Sequence, residues 1–246
     1  MRQFKFPGVD LSGFTPKSIP ERLRLGHRME HIFKQLIITA PEYDLLLYNR
    51  TVTKNKRSVG EIDFILQDIA YQRILHVELT YKFYIIDTRI SEPIHQLIGP
   101  NRRDMFFTKM EKIKHRQFPL LHTAEGKDVL EQNGIDHEKI EHQCCFKGQL
   151  FYPYGEPNVH IRPLNKACLQ GFWLRFNDFN AAEFREYSFY IPFKFEWVIA
   201  PHQEVEWQSH FEILMELNLR MIKENAPMVW MRKSESEVEK FFVVWW

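Results

Sequence analysis

Two short alternating segments constrain this chain more than anything else in it: Gly60-Glu61-Ile62-Asp63-Phe64 and, after a brief gap, Leu75 to Tyr84. In the second, Leu75, Val77, Leu79, Tyr81 and Phe83 alternate with His76, Glu78, Thr80, Lys82 and Tyr84. A strand turns successive side chains to opposite faces, so one face is apolar and the other carries acid, hydroxyl and amine together. The first segment does the same: Glu61 and Asp63 share one face, Ile62 and Phe64 the other. Gln67 to Arg73 reads as a hairpin turn, which makes the two acidic strands antiparallel neighbours. Carboxylates on one side of neighbouring strands are a natural cradle for a hard cation such as Mg²⁺. The plainer reading is that each acid is simply solvated on the wet face of a half-buried sheet.

The rest of the chain can be placed around this pair. Residues 1–17, with Pro7, Gly8, Gly13 and Pro16, read as an irregular lead-in. Ser18-Ile19-Pro20-Glu21 has the form of a helix start, and the spacing of Leu25, Met29, Ile32 (or Phe33) and Leu36 predicts a helix to about Ile38 that carries Glu30. Tyr43 to Val52 reads as a strand, followed by the basic loop Lys54 to Arg57. Asn101 is placed to cap a helix running to Gln117 and closed by Pro119, with Phe106, Met110, Ile113 and Gln117 as a narrow apolar stripe. That helix is basic: Arg102, Arg103, Lys109, Lys112, Lys114 and Arg116 stand against only Asp104 and Glu111. Such a run is ordinarily a solvated face, but here it follows directly on the acidic strands.

The pattern predicts an α/β fold: a core over residues 18–142 with a central mixed sheet flanked by helices, and a β-rich C-terminal part over 143–246 packed on it. In that C-terminal part, Gln143 to Leu150, Gly171 to Leu174 and Tyr187 to Trp197 read as strands. Glu206 to Glu224 reads as a helix with Phe211, Leu214, Met215, Leu217 and Met221 inward, before a closing strand pair at 227–231 and 238–246. The 246 residues are 44% hydrophobic, enough for a sizeable core. Basic residues (33) and acidic residues (32) nearly cancel, so any nucleic-acid surface must be local. Three cysteines, two of them adjacent, make neither a disulfide framework nor a spaced zinc site. With no signal-peptide pattern and no apolar run long enough for a membrane span, the expectation is a soluble, cytoplasmic protein without a membrane partner.

With these residues placed, the N-terminal half resembles the PD-(D/E)XK nuclease superfamily, the restriction-endonuclease-like fold. Glu30 on the first helix, Asp63 in the Gly-Glu-Ile-Asp strand and Glu78 on the next strand occupy the three acidic places of that pattern. More closely, the chain resembles the domain-of-unknown-function 1853 family within it. Leu25 to Glu30, Gly60 to Phe64, His76 to Tyr84 and the Gly99-Pro100-Asn101 segment carry this likeness, and Gly171-Phe172-Trp173 and the Trp-rich C-terminus also fit. One departure stands out. The superfamily lysine sits two residues after the glutamate, where this chain has Thr80; its lysine is Lys82, about 13 Å along the strand from Glu78.

The resemblance implies a nuclease cleaving DNA or RNA with Mg²⁺ or Mn²⁺. Asp63 and Glu78 would hold the metal, Glu30 would bind a second metal or orient a metal-bound water, and Lys82 would stabilise developing charge. Asn101, Arg102, Arg103 and Lys109 would grip phosphates. Two other readings stay open: a nuclease-like module that only binds nucleic acid, and an interaction protein whose acids are ordinary surface.

Overall fold

Asn55 and Lys56 both adopt positive φ (48° and 63°), closing a tight hairpin where the sequence suggested a basic loop. A computed structural model describes residues 1–161 and 164–246. Its elements are, in chain order, β1 (Arg2–Gln3), α1 (Leu25–Thr39), β2 (Tyr43–Lys54), β3 (Arg57–Asp68), β4 (Arg73–Ile86), β5 (Leu97–Ile98) and α2 (Phe106–Lys112). Then come α3 (Phe118–Leu120), α4 (Ala124–Gln132), β6 (Ile140–Pro153), β7 (Leu169–Arg175), α5 (Phe176–Phe179) and β8 (Ser188–Tyr190). The chain ends with β9 (Gln208–Ser209), α6 (His210–Ile222), β10 (Met228–Arg232) and β11 (Val238–Val244). The fold is mixed α/β. Two compact units emerge, Met1–Tyr81 with Met110–Lys147 and Lys82–Lys109 with Gly148–Trp246. Among the described residues no helix is long and apolar enough to cross a membrane.

In the first unit β2, β3 and β4 pair antiparallel, β6 lies beside β4, and β1 joins β6 in parallel. One face packs α1 through Phe33 and Ile37 against Phe64, Leu66, Leu75 and Val77. A second cluster joins Ile62 and Ile65 of β3 to Leu120, Leu121 and Leu130 of the following helices. Ile62 and Ile65 are three residues apart yet share a cluster, while Phe64 packs with α1. Strict alternation therefore breaks within β3 beside Asp63. The break coincides with Asn49, which lies between the pairs Tyr48↔Phe64 and Arg50↔Ile62 and has φ 45°. Asn tolerates that left-handed conformation better than most residues.

In the second unit β7 runs parallel to both β6 and β11, and β10 pairs antiparallel with β11 and β8. Phe172, Phe179, Phe189 and Phe241 fill its core together with Ile213, Leu217 and Met221 from α6. Gly171 is demanded here by close approach, since a Cβ would lie 1.8 Å from the Lys240 carbonyl oxygen.

Several sequence expectations need correction. The first helix begins at Leu25 rather than Ser18. The segment before it is held by side chains instead: Gln35 both accepts from the Lys17 N–H and donates to its carbonyl, and Arg28 donates to the Glu21 and Leu23 carbonyls. Asn101 caps no helix; it lies in a turn, and its Oδ1 accepts from the Ala226 N–H at 2.7 Å. The strand expected over Tyr187–Trp197 is only Ser188–Tyr190, because Pro192 cannot donate to a ladder and a turn held by Glu196 follows. The β4 residues His76, Glu78 and Thr80 do not form a wet face. All three are buried.

Lys240 is a buried polar exception in the second unit, donating to Gln149 Oε1 at 2.7 Å. Burial pushes its pKa down to about 8, so the folded state loses this proton before the unfolded state does. The unfolded chain then binds more protons between about pH 8 and 10.5, and stability rises with pH across that window by up to roughly 3 kcal/mol. Urea unfolding of Lys240→Met over the same range should lack this increment relative to the wild type.

Candidate active site

Within the first unit, β3 and the helical run from Met110 to Leu120 enclose a cleft of about 390 Å³. Gly60, Glu61 and Asp63 form one wall; Lys112, Arg116 and Gln117 face it. Leu120 packs directly on Gly60: a Cβ there would lie 2.6 Å from its methyl, and the side chain would have to move to admit one. Residues Ile113–Gln117 form a π-helical turn, with the Phe118 N–H bonded to the Ile113 carbonyl five residues back. The wider turn inserts extra backbone, and Pro119, which lacks an N–H, opens the next short helix rather than closing the run. Gln117 is thereby removed from the apolar stripe in which the sequence placed it and faces the acids.

Asp63 Oδ2 accepts the Leu79 N–H of the neighbouring strand at 2.9 Å. Glu78 is buried behind the cleft wall. Its Oε1 is paired with His76 Nε2 at 3.0 Å, and Gln117 Nε2 donates to its Oε2. A buried carboxylate needs donors of this kind to offset its lost hydration. From His76 a chain of imidazoles runs outward: His76 Nδ1 to His142 Nδ1 at 3.0 Å, then His142 Nε2 to His122 Nε2 at 2.9 Å. His122 is exposed. Phe118 stacks on His142 with ring centroids 4.9 Å apart.

The carboxylate orders this chain. With Glu78 ionised, its carboxylate can only accept, so His76 carries its proton on Nε2 and its Nδ1 accepts from His142. His142 Nε2 then accepts from His122. The buried rings resist charging: burial, then the His122 charge, takes His76 down to about 3, and burial, then His76 and His122, takes His142 to about 4.

The other expected site residues fall as follows. Glu30 lies on α1, bonded to Asn49 Nδ2 at 3.1 Å and to His27 Nδ1 at 3.2 Å. Its charge is felt at the Tyr48 phenol together with those of Glu61 and Asp63; burial first, then these carboxylates, raises the pKa of that phenol. Lys82 belongs to the second unit, where its ammonium sits 2.5 Å from Asp104 Oδ2. Arg102 and Arg103 are exposed there; Arg102 lies 3.9 Å from the Trp246 ring centroid and 3.8 Å from Asp87. Lys109 is half-buried in the same unit.

Sequence reasoning passed over Lys112, Arg116, Gln117, His142 and His122 as site residues. The i, i+4 spacing of Lys112 and Arg116 was the available signal for the two cations. The imidazole chain had none, because its members are far apart in sequence. Among the described residues no three His, Cys, Asp or Glu side chains form a metal cage.

The two neutral histidines make stability pH-dependent. Their folded pKa values lie below the ordinary 6.5, so the unfolded chain binds more protons as pH falls from about 6.5 toward 4 and stability drops through that range. His142→Asn should lose less stability than the wild type between pH 7 and 4.5, read as thermal midpoints at each pH.

Comparison with the curated proteins and with the solved structures gives no match. Residues 15–244 match the model described as domain of unknown function DUF1853. Nearly the whole chain is covered, and the protein belongs to this family.

Proposed function

We propose that the cleft of the first unit is the active site of a Mg²⁺-dependent phosphodiester hydrolase acting on DNA or RNA, a nuclease of the PD-(D/E)XK, restriction-endonuclease-like kind. The observation that carries this reading is the opposition of Glu61 and Asp63 on one wall to Lys112 and Arg116 on the other. Hydrolysis of a phosphodiester needs both signs of charge in one place. Carboxylates hold a hard cation or a water, while cations grip an otherwise repelled phosphate.

The donor set fits Mg²⁺ or Mn²⁺. These ions take oxygen ligands, and Mg²⁺ typically keeps several waters and needs only one or two carboxylates beside the substrate phosphate. Asp63 and Glu78 are the assigned pair, with Glu61 at the cleft. When bound, the metal supplies Lewis-acid charge that acidifies water and offsets charge on the phosphate oxygens. His76 holds the Glu78 carboxylate from behind through its Nε2–H, and Gln117 holds it from the cleft side. The Gln117 N–H occupies an oxygen that ligation would require, so the amide must yield for Glu78 to reach a metal. Lys112 and Arg116 take the place of the lysine absent at Thr80, neutralising the phosphate from the opposite wall. Glu30 acts from α1 on the same field. Lys82, Asn101, Arg102, Arg103 and Lys109 serve as further phosphate contacts, with Lys82 first having to release Asp104.

A second reading, a module that binds nucleic acid without cutting it, draws on Thr80 being buried and Lys82 being paired to Asp104. Cleavage of single- and double-stranded DNA and RNA with Mg²⁺, Mn²⁺ or EDTA separates the two. Asp63→Asn and Glu78→Gln should each lower metal-dependent cleavage at least about 100-fold while the fold survives. Lys112→Ala and Arg116→Ala should each weaken binding across sequences and flatten its salt dependence by about one unit of slope. Salt-sensitive binding with no cleavage would select the second reading. Neither cleavage, nor binding, nor calorimetric uptake of metal beyond that of Asp63→Asn would remove both.

A further inference from the structure

The α6 helix is apolar on two sides. Ile213, Leu217 and Met221 face the core of the second unit, as does His210. The sequence also placed Phe211 and Met215 inward, but they are 73% and 61% exposed, and Leu219 and Ile222 are exposed by 60% and 72%. Spacings of four, four and three residues keep Phe211, Met215, Leu219 and Ile222 within one stripe less than a quarter of the way round the helix. Together they expose on the order of 400–500 Å² of apolar surface, the size of the largest apolar patch on a typical monomer, a kind of patch that is often functional.

We propose that this stripe is the contact surface of a homodimer in which α6 packs antiparallel against α6 of a second copy about a two-fold axis. Three features on the helix specify that partner. The first is the stripe itself, which is symmetric about a point between Met215 and Leu219. Antiparallel packing sets Phe211 against Ile222 of the second copy and Met215 against its Leu219, a large residue against a large residue at every level. The second feature is charge. Beside the stripe on one flank stand Glu212 and Glu216 toward the N-terminus and Arg220 and Lys223 toward the C-terminus. A two-fold axis perpendicular to antiparallel helices brings like flanks together with their ends reversed, so Glu212 meets Lys223 of the other copy, twice. Parallel packing would set this flank against the opposite one, where exposed Asn218 carries no charge.

The third feature is area. The apolar stripes of two copies together approach the roughly 1,000 Å² that a specific interface requires, with the charged flanks forming its rim. A lipid surface is a poorer match, since membrane-binding helices carry a Lys/Arg-rich polar face and here acids occupy half the flank. The stripe adds nothing to the monomer's own core, so the dimer supplies the burial that this face otherwise lacks.

Sedimentation equilibrium of the full chain at neutral pH tests this directly. The wild type should be a concentration-dependent dimer. Leu219→Lys, at an exposed position, should be a monomer with unchanged circular dichroism and thermal midpoint. Lys223→Glu should weaken the dimer by about tenfold, through repulsion from Glu212 of the other copy. Adding Glu212→Gln should recover part of that loss. This substitution keeps the capping box, in which Glu212 accepts from the Ser209 N–H and hydroxyl. A wild type that stays monomeric at the highest soluble concentration would overturn the proposal. So would a Leu219→Lys variant that still dimerises, or a Glu212→Gln addition that recovers nothing.

Discussion

The first unit depends on a carboxylate that has been taken out of water. Glu78 is fully buried on a central strand, where an unsatisfied charge would be costly enough to undo much of a domain's net stability. Its environment answers that demand from two directions, with His76 along its own strand and Gln117 from the helical run above. The π turn at Ile113–Gln117 brings the second of these donors into line. A regular helix through Gln117 would shift its facing by most of a residue's rotation. The same demand runs outward through the imidazoles, because fixing the proton on His76 Nε2 dictates which nitrogen of His142 and then of His122 must donate.

Once Glu78 is held, the cleft follows. The helical run that supplies Gln117 also carries Lys112 and Arg116, and its Leu120 side chain packs on β3 at Gly60. Asp63 gives up regular pairing nearby: its carboxylate, rather than a carbonyl, accepts the Leu79 N–H, and the side-chain alternation of β3 breaks at the same place. Two backbone irregularities lie in this unit near the polar residues, the left-handed Asn49 and the π turn. Irregularities of that sort persist only where surrounding contacts over-determine them.

The second unit is organised by packing rather than charge. Its aromatic core closes on α6, and the approach of Gly171 to the Lys240 carbonyl shows how tightly β7 and β11 are joined. Buried Lys240 is tolerated because Gln149 accepts a hydrogen bond from its ammonium, yet its pKa still falls. The same helix leaves a second apolar stripe in solvent, a surplus that the packing of one copy does not use.

Local chemistry was legible in the residues themselves. The strands at 60–64 and 75–84, the hairpin between them, the α6 helix and the closing strand pair could all be read from periodicity and turn residues, though not the break in alternation beside Asp63. So could the mixed α/β class and the membership of the family. Helix ends were legible only in part. Ser18 to Glu21 has every local mark of a helix start, but Gln35, eighteen residues from Lys17, clasps the chain just before it, and the segment ends in a turn rather than a helix. Periodicity also could not rank the two apolar stripes of α6, since Phe211 and Ile213 differ only in which neighbour arrives. The buried face of β4 illustrates the same limit. His76, Glu78 and Thr80 are polar and alternate like solvated residues, and only contacts from distant elements, Gln117 of the helical run on Glu78 and His142 of β6 on His76, satisfy the first two once buried. Sequence spacing reports which side of a strand or helix a residue occupies; whether that side meets water or protein depends on contacts between residues far apart in the chain, and these exist only in the folded structure.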